Sequence, residues 1–325
     1  MVREYWNKIV EKYMSSKLVV TTRTWMKATV LPGFQGVSLY EVYVFLKKEL
    51  QDSKLDSKAS GIAFSFFISL FPTIIVLFTL MAYFPIYKNF YALISETVHD
   101  LMPGNAEKMV MDSIKDLTTI KRKGLLSVGF ILAIYFSSNG MLAMMSGFEK
   151  SYKGTFKRIG FFYKRLIALQ LTFLLGFLLF ASVILVILGN TLISILVKFV
   201  KASWFSFTSL FLLRWIAIFI LMYGGISIIY RYGAPLRRKM PIWNPGSILA
   251  TTGSILTSVV FSYYVDNFGN YNAVYGSIGT LIALMVWLQI NIFIVLAGFE
   301  LNASIAVNRD MKENDNLNKK ETQDT

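Results

Sequence analysis

Cysteine is absent from this chain, and histidine occurs once, as His99. The first absence excludes disulfides, thiolate metal sites and cysteine nucleophiles. The second excludes any metal site that needs two histidines from one chain. Charged residues are scarce too: they make up 16% of the 325 residues, against roughly a quarter in soluble domains. No G-x-x-x-x-G-K-[ST] phosphate loop occurs, so ATP use is not expected. The first 30 residues are charged and mixed, without the continuous apolar stretch of a cleaved signal. Insertion is therefore expected to use the first membrane helix as an uncleaved signal.

What the chain has in excess is apolar: 55% of its residues are hydrophobic. They gather in runs of about 20, the length a helix needs to cross roughly 30 Å of hydrocarbon. The expected fold is an all-α integral membrane bundle of six transmembrane helices, with amphipathic N-terminal and outer-loop helices. The spans fall at about 61–84, 125–145, 166–188, 208–230, 245–265 and 277–299. Residues 1–60 form an interfacial amphipathic segment, 61–306 the membrane domain, and 307–325 a polar, disordered tail.

Two N-terminal helices are expected. Trp6, Ile9, Val10 and Tyr13 fall at helical spacing in the first. Ser38 and Glu41 form a capping box at the start of the second, whose apolar stripe is Leu39, Val42, Leu46 and Leu50. Both are placed on the membrane surface. In the long loop after span one, Phe90, Ile94, Val98 and Leu101 make one stripe, and Val110, Ile114 and Leu117 another, divided at Pro103-Gly104.

Orientation follows from the basic residues. Of 33 Lys and Arg, 24 fall on the side of the termini and 8 opposite, with Arg214 inside span four. Both termini are therefore expected in the cytoplasm. The net charge of +14 is read as contact with anionic lipid heads, not nucleic acid.

Small and polar residues mark helix faces that associate inside lipid. In span one they are Gly61, Ser65, Ser69, Pro72 and Thr79. In span five they are Ser247, Thr251, Ser254, Ser258 and Ser262, and in span six Gly276, Thr280, Trp287, Asn291, Gly298 and Asn302. Such stripes either pack helices or line a cavity. Pro72 removes a backbone donor and crowds the Ile68 carbonyl, where Ser69 can compensate. Asn139, deep in span two, needs a neighbouring helix or a substrate headgroup. Arg214 either snorkels to the outer boundary or charges a cavity. The stretch from Tyr264 to Gly276, with Asp266, Tyr271 and Tyr275, reads as a shaped outer turn. Glu300 either pairs with Arg237, Arg238 or Lys239 or is solvated.

Taken together, these residues resemble the YihY/BrkB family of bacterial inner-membrane proteins over about 36–306. The carriers are Ser69-Leu70-Phe71-Pro72, Ser137-Ser138-Asn139-Gly140, Phe148-Glu149-Lys150-Ser151-Tyr152, and Tyr230-Arg231 with Pro235. Further along come Pro245-Gly246, Tyr271 with Tyr275-Gly276-Ser277 and Gly279, Trp287, and Gly298-Phe299-Glu300-Leu301-Asn302-Ala303. The resemblance implies six transmembrane helices and cytoplasmic termini. The family has carried a ribonuclease label and a virulence-factor label, and lipid transport has been suspected for some members. A metal-dependent nuclease needs clustered His and acidic ligands, and the single His99 has no acidic cluster beside it. The expectation is a non-enzyme without cofactor or metal that moves, or helps to move, a lipid or envelope precursor. The alternative is a membrane scaffold for envelope proteins. Expected partners are membrane lipids, an amphiphilic substrate and, with the question left open, a second copy of the chain, but no nucleic acid.

Overall fold

The computed structural model describes residues 17–52, 54–81, 111, 112, 115, 123–178, 207–267 and 269–323. Among the described residues eight helices carry the fold: α1 (Lys17–Ala28), α2 (Leu39–Asp52), α3 (Leu55–Met81), α4 (Lys123–Gly147), α5 (Phe161–Leu178), α6 (Phe207–Ile228), α7 (Pro245–Asn267) and α8 (Gly269–Gln323). Six of them, α3 to α8, are long and apolar enough to cross a membrane, as their hydropathy predicts. The helix expected around Trp6–Tyr13 lies outside the described residues. So do the two outer-loop helices, apart from Met111, Asp112 and Lys115.

The spans associate as a closed circuit. α3 packs on α4 and on α8, α8 on α7, and α7 on α6. Between α4 and α6 runs α5: Arg165 bonds Asn139 of α4, and Leu175 lies beside Gly225 of α6. Close approach decides two of these contacts. A Cβ on Gly246 would lie 2.0 Å from the Gly298 carbonyl oxygen, and one on Gly298 would lie 2.5 Å from that of Gly246. Only glycine on both sides lets α7 and α8 touch backbone to backbone there. Around that crossing, Ser247, Thr251 and Ser254 are buried. The polar stripe of span five is therefore a packing face over this stretch.

Pro72 stands inside a continuous α3. Ser69 Oγ donates to the Phe66 carbonyl (2.6 Å), and Thr73 Oγ1 to the Ser69 carbonyl (2.7 Å). Ser69 thus turns to Phe66 and not to the Ile68 carbonyl that proline leaves without its helical donor.

Three boundaries differ from expectation. Tyr264–Gly276 is helical on both sides of residue 268, α8 beginning at Gly269. Asp266 therefore belongs to α7, and Tyr271 and Tyr275 belong to the first turns of α8, not to a loop. The tail is helical to Gln323, where composition alone suggested disorder. Two exposed ion pairs meet its near end: Lys312 lies 2.7 Å from Glu41 of α2, and Glu313 2.8 Å from Arg238. Finally, α2 does not rest on a membrane surface alone. Its Val42, with Phe34 and Val37 of the preceding loop, buries against Ile305 of α8. The capping box is formed as read: Ser38 Oγ donates to Glu41 Oε2 (2.9 Å), which also accepts from Ser38 N (3.0 Å).

Candidate functional site

At the end of the bundle that carries most of the basic residues, the circuit of helices is plugged. Tyr230, Phe148, Phe299, Met141, Met145 and Leu296 are the large side chains fully buried there. Phe148 and Phe299 meet at 4.3 Å between ring centroids, and Tyr230 stands edge-on to Phe148 at 5.8 Å. Burying three rings in one place is a large apolar contribution. Tyr230 lies in a π turn, Ile229–Gly233, that ends α6, and its hydroxyl donates to the Val295 carbonyl at 2.6 Å. Such turns recur at functional sites.

Beneath the rings lies an ionic knot. The Lys150 ammonium stands 2.6 Å from Glu49 Oε2 and 2.7 Å from Glu300 Oε1. Tyr152 donates to Glu49 Oε1 at 2.9 Å. Glu300 is 1% exposed, and its Oε2 has no hydrogen-bond partner among the described residues. One lysine therefore serves two carboxylates drawn from α2 and α8. Burial, the largest influence on Glu49, pushes its carboxyl up. The Lys150 and Tyr152 hydrogen bonds, with the charges of Lys150 and Lys48, outweigh it and hold the carboxyl below the usual carboxylate range.

This corrects the pairing expected of Glu300. Its partner is Lys150, not Arg237, Arg238 or Lys239, and it is not solvated. Arg237 donates to the Lys153 carbonyl, Arg238 pairs with Glu313, and Lys239 lies over the Tyr232 ring. The cause is the loop after α4. An antiparallel bridge between Phe156 and Leu236, with Lys157 N donating to the Pro235 carbonyl, folds it under the bundle. That carries Phe148 and Lys150 to the foot of α8.

Beside the knot, amides tie α7 to α8. Asn302 Oδ1 accepts from Gly246 N (2.9 Å), and its Nδ2 donates to Asn244 Oδ1 (2.7 Å), which also caps Ser247 N (2.8 Å). The first free amides of α7 are satisfied in this way.

A second polar site lies between α4 and α5. Arg165 Nη1 donates to Asn139 Oδ1 at 2.5 Å, and the guanidinium lies 4.9 Å from the Tyr135 ring centre. Both Arg165 and Asn139 are half-buried, while Tyr135, Phe161 and Phe162 are exposed. Asn139 thus meets a neighbouring helix, as one alternative had it. Sequence reading missed Arg165 because it counted the residue among loop charges flanking span three. Asn291 bonds its own helix, at the Trp287 carbonyl, and Trp287 Nε1 donates to Ser258 Oγ on α7. Arg214, Asp266, Tyr271 and Tyr275 occupy helical positions whose side chains lie outside the described set. The candidate pathway or helix-packing residues whose side chains are described do not gather in one place: Glu300 belongs to the ionic knot, Asn139 to the α4–α5 site, and Ser69 and Pro72 to α3.

A family model described as Virulence factor BrkB matches residues 46–323. The chain is 30% identical over 247 residues to "Putative ribonuclease-like protein YfkH" of Bacillus subtilis (strain 168), covering 76% of this chain and 88% of that protein. It is 21% identical over 270 residues to UPF0761 membrane protein NTHI0384 of Haemophilus influenzae (strain 86-028NP), covering 83% and 96%. To UPF0761 membrane protein NT05HA_1801 of Aggregatibacter aphrophilus (strain NJ8700) it is 24% identical over 267 residues, covering 82% and 92%. No solved structure matches. Six apolar helices and relatives named as membrane proteins make this a multi-pass membrane protein.

Proposed function

The chain belongs to the BrkB family of membrane proteins, and from that premise we propose that it moves, or helps to move, a lipid or envelope precursor in the bacterial inner membrane. Both termini lie in the cytoplasm in this reading, which the 24 to 8 basic asymmetry supports.

The observation that carries the proposal is Arg165 bonded to Asn139 between α4 and α5. A cation within a span is expensive in hydrocarbon and is kept where it meets a partner or a pathway. Here it lies half-buried beside exposed aromatics, where a headgroup travelling along the α4–α5 seam could exchange for the Asn139 contact. Arg214, Asp266, Tyr271 and Tyr275 are the further candidates for the path, while Ser69, Pro72, Asn291 and Glu300 have packing or ionic roles outside the seam. Hydrolytic chemistry is not part of the proposal. The chain has one histidine, and among the described residues no three His, Asp or Glu side chains gather.

The test is leaflet exchange of a fluorescent phospholipid in vesicles carrying the purified protein. Exchange should exceed that of protein-free vesicles and fall about tenfold in Arg165→Gln, the loss of roughly 1.4 kcal/mol of interaction. Exchange no faster than in empty vesicles defeats the reading.

A second reading, a non-catalytic scaffold for envelope proteins, is favoured by the aromatic plug and by the exposed end of α8. Stable crosslinked partners, with wild-type behaviour of Arg165→Gln in cells, would select it.

A further inference from the structure

Two segments far apart in sequence meet at the basic end. The loop before α2 carries three left-handed residues, Gly33 (φ 86°), Gln35 (φ 53°) and Gly36 (φ 80°). A Cβ on Gly33 would come within 3.1 Å of the Pro245 ring, so glycine is what lets this loop close against the start of α7. Gln35 carries a side chain in a region that disfavours one, and such strain persists only where the surroundings hold it. Arg309 Nη1 holds it here, donating to Gln35 Oε1 at 2.5 Å.

Between this loop, the segment 238–245 and α8 lies a shallow recess open to its surroundings. Three cations line it: Arg238, Lys239 and Arg309. Two are already matched, Arg238 by Glu313 and Arg309 by Asp310. Lys239 is different. Its ammonium lies 4.8 Å from the Tyr232 ring centre, and no carboxylate among the described residues is within ion-pair distance. The recess thus offers one unneutralised positive charge.

Apolar side chains stand exposed on the same two segments, next in the chain to residues that line it. Val30 and Leu31 come from one, Ile242 and Trp243 from the other, Trp243 being 77% exposed. Trp243 is not loose: its ring lies 5.4 Å from that of Tyr223, and the Ile242 carbonyl accepts from both the Tyr223 and Ser227 hydroxyls. Tyr223 lies seven residues before Tyr230 on α6, about 10 Å closer to the membrane centre. The 238–243 segment therefore climbs back along α6 and presents Ile242 and Trp243 at the depth where aromatic side chains anchor a membrane protein. One free cation below and an apolar rim above is the pattern of an amphiphile with a singly charged head.

We propose that this recess binds an anionic phospholipid, with the phosphodiester at Lys239 and the acyl chains along Ile242 and Trp243. The lipid is a resident ligand, not the cargo of the α4–α5 seam, and its binding does not depend on transport or on which leaflet faces the cytoplasm.

The test uses the full-length protein in nanodiscs of phosphatidylcholine doped with brominated phosphatidylglycerol or, at equal mole fraction, brominated phosphatidylcholine. Quenching lost in Trp243→Phe assigns the Trp243 signal. Brominated phosphatidylglycerol should quench Trp243 about fivefold more effectively, the preference expected of one lysine at a lipid surface. Lys239→Gln should bring the two lipids level while leaving quenching by brominated phosphatidylcholine unchanged, which shows the loop still folded. Equal quenching in the wild-type protein, or an undiminished preference in Lys239→Gln, overturns the site. Full competition by inorganic phosphate also overturns it, because the recess would then be a free-phosphate site.

Discussion

Replacing Lys150 by methionine isolates the ionic knot from the packing around it. The lysine side chain is 8% exposed, its ammonium is 2.6 Å from one carboxylate and 2.7 Å from another, and Glu300 is 1% exposed. Methionine keeps most of the volume and removes the charge. Glu300 then faces a low-dielectric pocket without a counterion, and removing one partner of a buried pair costs about 3–5 kcal/mol. The remedy is specific. In Lys150→Met/Glu300→Gln no buried anion is stranded on α8, so the double variant should regain at least about 2 kcal/mol of the loss. Glu49, 14% exposed, keeps the Tyr152 hydrogen bond and some contact with water in either case. With a fluorescent protein fused to the tail, the fraction of monodisperse protein surviving heating in detergent gives the midpoint. At roughly 2–4 °C per kcal/mol, Lys150→Met should fall by about 10 °C and the double variant by markedly less. Lys153→Met, at an exposed position in the same loop, should stay within about 0.5 kcal/mol of the parent. A Lys150→Met midpoint matching that of Lys153→Met, or a double variant no better than the single, would refute the reasoning.

Two further outcomes follow from geometry already described. Gly298→Ala places a methyl 2.5 Å from the Gly246 carbonyl oxygen and 2.7 Å from the Tyr230 hydroxyl, so it should destabilise by about 1–3 kcal/mol or more. Gly61→Ala, with nothing within 4 Å, should be neutral or gain up to about 1 kcal/mol of helix propensity; equal midpoints for the two would contradict the α7–α8 crossing. Glu49 is held below the usual carboxylate range, so its contribution is fully present above that range and is lost as pH falls through its lowered value. The gap between wild type and Glu49→Gln should therefore be constant from pH 8 to about pH 6 and close in mild acid, below about pH 4; a gap that widens on acidification reverses the sign and sinks the assignment.

How much of this could be read from the chain depended on the range of the interaction. Hydropathy locates all six spans because twenty apolar residues in sequence have few other uses. The Ser38–Glu41 cap was legible for the same reason: donor and acceptor lie three residues apart. The inward stripe Ser247–Thr251–Ser254 was legible because it is periodic. The partner of Glu300 was not. Its pairing is fixed by a two-residue bridge between loops 80 positions apart, which no local pattern announces. Arg165 was hidden by a counting rule that treats every basic residue at a span end as a topological flank. The partners of Lys312 and Glu313 were hidden as that of Glu300 was, since Glu41 and Arg238 lie far from them in the chain.

The length of α8 has a mechanical corollary. A helix of 55 residues is about 80 Å long, and the 21 residues that follow Asn302, through Gln323, reach about 30 Å past the amide tie to α7. A rigid rod amplifies rotation: tilting span six by about 5° swings the far end by nearly 3 Å, on the scale of a hydrogen bond made or broken. Glu41, Arg238 and Gln35 hold that rod along its shaft at Lys312, Glu313 and Arg309. Span six, α2 and the loop after α6 are thus geared together, so that a small change of tilt within the bilayer registers as a displacement in water.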